Sequence, residues 1–175
     1  MHIFERLNQV AKDAGLTYLV IGGNAVNAYG FSRLTDDWDI LINRNEKGKW
    51  LEGLQKHGCE IRNDAGTFVQ LTIAGAEPLD CMMVATETFV PMKAQGKDVV
   101  IDGQPVRVPS LEHLLALKFH ALKHGPLHRN SKDFLDVLTL VDENGIDVRS
   151  DKFRELCDKY GNAKLYEHIV AFKGE

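Results

Sequence analysis

The stretch richest in reactive side chains runs Gly22-Gly23-Asn-Ala-Val-Asn-Ala-Tyr-Gly30-Phe-Ser-Arg33-Leu-Thr35-Asp36-Asp37-Trp38-Asp39-Ile-Leu-Ile. Asp37 and Asp39 head an apolar run. On an extended strand, residues two apart project from one face, roughly 7 Å apart along the chain. Carboxylates so placed suit a pair of Mg²⁺ ions about 3.5–4 Å apart, bridged by the acids and by the phosphates of a nucleoside triphosphate. Asp36 points to the opposite face and is the poorer ligand. Burial of Ile40-Leu41-Ile42 fixes the acids on a rigid element. Gly22-Gly23 lets backbone N–H groups approach a phosphate with no Cβ in the way, and the helix that follows adds partial positive charge. A lone Asp-x-Asp is mostly solvated surface. Between two apolar strands, and fourteen residues after a double glycine, it is far more specific.

A third acid is expected on a neighbouring strand. Asp80 opens the apolar run Leu79-Asp80-Cys-Met-Met-Val, where a charge is costly unless it meets a cation. Its expected roles are metal ligand and general base toward an acceptor hydroxyl. The plainer reading is a solvating strand end.

These residues resemble the DNA polymerase β-type nucleotidyltransferase superfamily, and within it the small abortive-infection type IV toxin nucleotidyltransferases. That family's opening pattern is matched by Gly22, Gly23, Ala25, Val26, Gly30, Arg33, Thr35, Asp37 and Asp39. Its later pattern, a helix lysine and then a basic-Asp-x-x-Asp helix, is matched by Lys118 and by Lys132-Asp133-Phe-Leu-Asp136. Trp38 is bulkier than the aliphatic usual between the acids. The resemblance implies Asp37, Asp39 and Asp80 as catalytic metal ligands for two Mg²⁺ (or Mn²⁺) ions. It implies Gly22, Gly23, Arg33, Thr35 and Lys118 as nucleotide-binding residues, with Asp133 and Asp136 in support. Lys118 would neutralise the triphosphate as a point charge, oriented by Asp133 or Asp136, which share a helix face. A surface ion pair is the plainer reading of Asp136, and Arg33 equally suits bracing the acidic loop.

His120, His124 and His128 fall at helical spacing, but Pro126 interrupts it and no His-Glu-x-x-His pattern is present. A solvated face is the expectation, with a modest basic patch near Arg129 and Lys132 as the alternative. Cys59, Cys81 and Cys157 form no Cys-x-x-Cys pair and read as buried apolar residues in a reducing compartment.

The elements that must position the acids follow from periodicity. Ile3, Phe4, Leu7, Val10, Ala11 and Ala14 mark a first helix stopped by Gly15. Strands are expected at 16–21 and 37–42, with a short helix at 24–29 between them and a helix at 45–57 capped by Asn45. A β-meander at 59–62, 67–73 and 79–84 turns at 63–66 and 75–78. A helix at 86–95 and a hairpin about Asp102-Gly103 follow. From Ser110 onward the pattern is helical. The expected fold is α/β (α+β), a mixed twisted sheet flanked by helices, with residues 1–108 as core and 109–175 as a packed helical segment; the resemblance implies that this is the minimal nucleotidyltransferase fold.

The 175 residues carry a net charge of −4 and are 44% hydrophobic. That balance supports a sizeable core and argues against a broadly basic nucleic-acid-coating surface. No apolar run reaches membrane-spanning length, and the charged N-terminus does not read as a signal peptide, so the expected location is the cytoplasm. The expected function is Mg²⁺-dependent transfer of a nucleotidyl group from an NTP to a hydroxyl of tRNA or other RNA, a protein or a small molecule. A toxin role with a cognate antitoxin goes with it. The rivals are an antibiotic-modifying nucleotidyltransferase and a non-catalytic nucleotide-binding interaction protein.

Overall fold

The computed structural model describes residues 2–35, 37–73, 78–125 and 130–174. Asp36, most of the 75–78 turn, and Pro126, His128 and Arg129 lie outside the described residues, as do the expectations made for them. The chain divides into two compact units, Met1–Ala28 with Arg33–Ser110, and Tyr29–Ser32 with Leu111–Glu175.

The first unit opens with α1 (Ile3–Ala14), which buries Ile3, Phe4, Leu7 and Val10 and ends on Gly15 in the left-handed region at φ 64°. After it come β1 (Tyr18–Val20), α2 (Gly22–Asn27) and β2 (Trp38–Asn43). A 3-10 turn (Arg44–Glu46) leads into α3 (Lys47–Lys56), then β3 (Cys59–Asp64), β4 (Phe68–Ile73) and β5 (Leu79–Val84). α4 (Thr86–Ala94), β6 (Lys97–Ile101) and β7 (Gln104–Val108) complete the unit.

Five strands form one sheet in the order β1-β2-β5-β4-β3. β2 and β5 run parallel, and every other neighbouring pair is antiparallel. This is the mixed α/β sheet that the residue pattern predicts. Its centre is apolar: Leu19, Val20, Ile40, Leu41, Ile42, Val69, Leu71, Leu79 and Cys81 are all fully buried. β6 and β7 make a separate hairpin. Asp102 and Gly103 both take positive φ at its turn, 50° and 74°, as the tightest two-residue hairpin loop requires.

Several boundaries differ from the sequence reading: β1 is shorter than 16–21, β2 begins at Trp38, and β3 runs on to Asp64 through the first half of the expected 63–66 turn. Two more differences lie beside the acids. α2 starts at Gly22 instead of Asn24, because the chain turns at Gly22 with φ 61° and enters the helix at once. Asn45 does not cap α3; Asn43 caps the 3-10 turn ahead of it. The Asn43 side chain accepts from the Asn45 N–H at 3.1 Å and from the Thr86 hydroxyl at 3.0 Å, so a 3-10 turn precedes the α-helix.

The second unit is helical: α5 (Leu111–His124), α6 (Asn130–Glu143), α7 (Asp151–Tyr160) and α8 (Ala163–Lys173). Ser150 and Asn162 cap α7 and α8, accepting from Phe153 N–H at 3.3 Å and Leu165 N–H at 2.9 Å. Leu114, Phe119, Val137, Leu140, Phe153, Cys157 and Ile169 form its core, with Phe119 and Phe153 meeting edge-to-face at 5.7 Å. Among the described residues no helix is long and apolar enough to cross a membrane.

Candidate active site

Parallel pairing of β2 with β5 sets Asp39 opposite Asp80 in register, flanked by the pairs Trp38–Leu79 and Ile40–Cys81. Register partners share a face of the sheet, and Asp37, two residues ahead of Asp39, belongs to the same alternation. Trp38 faces the other way. Its ring packs edge-on against Phe4 at 5.0 Å and His2 at 5.1 Å, so the bulk between the acids is absorbed on the α1 side. Among the described residues no three His, Cys, Asp or Glu side chains are grouped to hold a metal ion by themselves. The acids share a face without closing on one point.

Asp80 is only 3% exposed, and a carboxylate so buried needs a partner. Gln70, its register partner on β4, supplies one by donating Nε2 to Asp80 Oδ1 at 2.9 Å. The sequence reading missed Gln70. Its signal was a polar residue inside Phe-Val-Gln-Leu-Thr-Ile, between two fully buried neighbours, Val69 and Leu71.

The double glycine packs the acidic strand and its loop against α2. A Cβ on Gly22 would lie 2.0 Å from Asp39 Oδ2 and 2.5 Å from its Cγ. A Cβ on Gly23 would lie 2.6 Å from Thr35 Oγ1 and 2.9 Å from an Arg33 guanidinium nitrogen. Two further residues the sequence reading passed over pin this loop. Asn27 donates to the Arg33 carbonyl at 2.9 Å and accepts from the Arg33 N–H at 3.2 Å. Buried Asn24 donates to the Asp37 carbonyl at 3.4 Å, as does the Thr35 hydroxyl. Arg33 turns back to donate to the Leu34 carbonyl at 3.2 Å, and Ile21 N–H bonds the Asp39 carbonyl at 2.9 Å.

Gly22→Ala tests this packing. The positive φ costs an alanine about 1–2 kcal/mol, and the methyl group must also displace the Asp39 carboxylate. The expected result is a melting temperature lower by several degrees, with activity reduced more than tenfold, a loss too large for that destabilisation alone. Wild-type kcat in the alanine variant would show that Asp39 does not need this approach.

Lys118, Asp133 and Asp136 form a second group, within the helical unit. Lys118 Nζ lies 2.7 Å from Asp133 Oδ1 and 2.7 Å from Asp136 Oδ2. Its side chain is 10% exposed, that of Asp133 14% and that of Asp136 1%. Three residues apart on α6, the acids share a face and grip one ammonium from α5. Asp136 is therefore no surface ion pair, and Lys118 is no solvated helix residue.

His120 and His124 are exposed, with rings 4.6 Å apart. All three cysteines are buried free thiols. Burial, with the Asp80 charge adding to it, pushes the Cys81 thiol up to about 12; burial does the same to Cys157. Neither is a thiolate at neutral pH, so neither offers a nucleophile.

Comparison with known folds places this geometry. The structure matches ANT(2")-Ia, solved in complex with adenylyl-2"-tobramycin, at TM-score 0.67 and 20% identity, over 90% of this chain and 94% of that one. It matches the lincosamide antibiotic adenylyltransferase LnuA, lincomycin-bound, at TM-score 0.57 and 17% identity, over 83% and 96%. It matches the Megavirus polyadenylate synthase at TM-score 0.59 and 15% identity, over 85% of this chain and 32% of that one. At these identities the likeness is one of fold. A search among curated proteins found no match. The family model described as "Nucleotidyl transferase AbiEii toxin, Type IV TA system" matches residues 83–174, more than half of the chain, including Lys118, Asp133 and Asp136. The chain thus belongs to the AbiEii family of type IV toxin–antitoxin nucleotidyltransferases and is an enzyme of the nucleotidyltransferase type.

Proposed function

We propose that the chain transfers a nucleoside monophosphate from an NTP to a hydroxyl acceptor, using Asp37, Asp39 and Asp80. One observation carries the reading: Asp39 and Asp80 stand opposite each other on adjacent parallel strands, with Asp37 two residues upstream. The donor set fits Mg²⁺, with Mn²⁺ as a substitute. It offers carboxylate oxygens from two acids on rigid strands and a third one residue ahead of β2, and leaves coordination positions for water and substrate phosphates, as Mg²⁺ prefers. Asp37, Asp39 and Asp80 would hold two such ions, whose chemistry is to offset the charge of the phosphates.

The chain's own part is positioning and proton transfer. Asp80 takes the proton of the acceptor hydroxyl. The freed oxygen bonds to the α-phosphorus, the bond to the bridging β-phosphate oxygen breaks, and pyrophosphate leaves. Gly22, Gly23, Arg33 and Thr35 border the nucleotide, the glycines by keeping Cβ atoms out of the wall. Lys118 meets phosphate as a compact charge, held by Asp133 and Asp136. The acceptor class spans tRNA or other RNA, a protein and a small molecule. The family supports a toxin role with a cognate antitoxin as partner, and the proposed location is the cytoplasm.

The test is incubation with each α-³²P-labelled NTP, Mg²⁺ and, in turn, total RNA, protein extract or an aminoglycoside or lincosamide. Label is expected in one acceptor pool with wild type, and in none with Asp39→Ala. Absence of label in every pool with every NTP overturns the reading. Labelling of the drug alone replaces the toxin role with antibiotic modification.

A further inference from the structure

We infer that Gln70 is a positioning residue for Asp80, holding its carboxylate in the orientation that transfer requires; this rests on the role proposed above for Asp80. Three adjacent strands contribute one residue each to a single row across the sheet. Asp39 on β2 is opposite Asp80 on β5, and Asp80 is opposite Gln70 on β4. The end of a carboxylate side chain turns easily, and its final torsion is broad. The bond from Gln70 Nε2 to Asp80 Oδ1, 2.9 Å long, commits one oxygen and leaves the other for cation or substrate.

The donor is itself well fixed, because Val69 and Leu71 on either side of it are fully buried in the sheet's other face. An amide suits this place for a second reason. It donates a hydrogen bond without adding a third charge to a row that already presents Asp39 and Asp80. Loss of a partner that orients a ligating carboxylate typically lowers metal affinity or activity about 10- to 100-fold.

Two variants separate positioning from mere space-filling. Gln70→Glu keeps the shape but replaces the donor with a second acceptor, and Gln70→Leu removes the polar group. Both are expected to lower kcat about 10- to 100-fold while KM for the NTP stays within about threefold. A readout independent of turnover is Mn²⁺ affinity in the presence of a non-hydrolysable NTP, followed by the free-ion electron paramagnetic resonance signal. Gln70→Leu is expected to weaken it about tenfold.

Wild-type kcat within about twofold in Gln70→Glu, with transfer abolished in Asp80→Ala, overturns the Gln70 assignment and leaves the role of Asp80 standing. Full transfer in Asp80→Ala overturns both. If Gln70→Leu folds poorly, Gln70→Glu carries the kinetic test alone, because its volume is unchanged.

Discussion

Asp39→Ala and Asp80→Ala are each expected to lower kcat by roughly 1000-fold or more, about 4 kcal/mol of transition-state stabilisation. Asp37→Ala should follow them closely. The reason lies in the sheet. A parallel pair of strands fixes Asp39 against Asp80. The stability controls differ among the three. Asp37 and Asp39 are half-buried, so their truncation should cost little in folding. Asp80→Ala strands the Gln70 amide beside a vacated position, so Asp80→Asn is the cleaner variant there. It keeps the volume and removes the charge. Turnover within tenfold of wild type in any of these variants, with melting behaviour preserved, removes that acid from the catalytic set.

Much of this arrangement was legible in the sequence because its signals are local. Asp-x-Asp ahead of Ile-Leu-Ile specifies a strand, and β2 (Trp38–Asn43) carries Asp39 with Asp37 one residue ahead of its start. The run Leu79–Val84 was read as a strand with Asp80 near its head, and β5 has those bounds. What was not legible depends on pairing. Nothing local says that β5 inserts between β2 and β4, and only that order makes Gln70 a neighbour of Asp80. A second use of the glycines Gly22 and Gly23 was hidden for the same reason. Their sequence signal speaks of a phosphate approaching from outside. In the fold, the space their missing Cβ atoms leave is needed by Asp39, Thr35 and Arg33. Asn24 and Asn27 were invisible because an asparagine in a short helix has many ordinary uses, and only the folded loop shows which carbonyl each one reaches.

Lys118→Met is expected to destabilise the helical unit by about 3–5 kcal/mol, the usual cost of stripping one partner from a buried ionic group. Two carboxylates share this ammonium at 2.7 Å each, and one of them is 1% exposed. Losing the lysine therefore leaves two facing negative charges, not one. At a few degrees per kcal/mol for a chain of this size, the melting transition should fall by roughly 6–20 °C. A loss of activity in this variant alone would prove nothing about catalysis.

The double variant Lys118→Met with Asp136→Leu resolves the difficulty. It removes the deepest acid together with the cation and leaves Asp133, the more exposed of the two. Buried ion pairs replaced by apolar groups of similar volume are often as stable as the original, so the double variant should recover more than half of the lost stability. Chemical denaturation of the four proteins of this cycle measures that coupling directly. Losses that simply add would show that the ion-pair geometry contributes nothing. Kinetics on the restored double variant then separate the two roles of Lys118. If its charge meets the nucleotide's phosphates, kcat/KM stays roughly 30- to 1000-fold below wild type despite the recovered fold. If activity returns with stability, Lys118 only ties α5 to α6 and has no part in nucleotide binding.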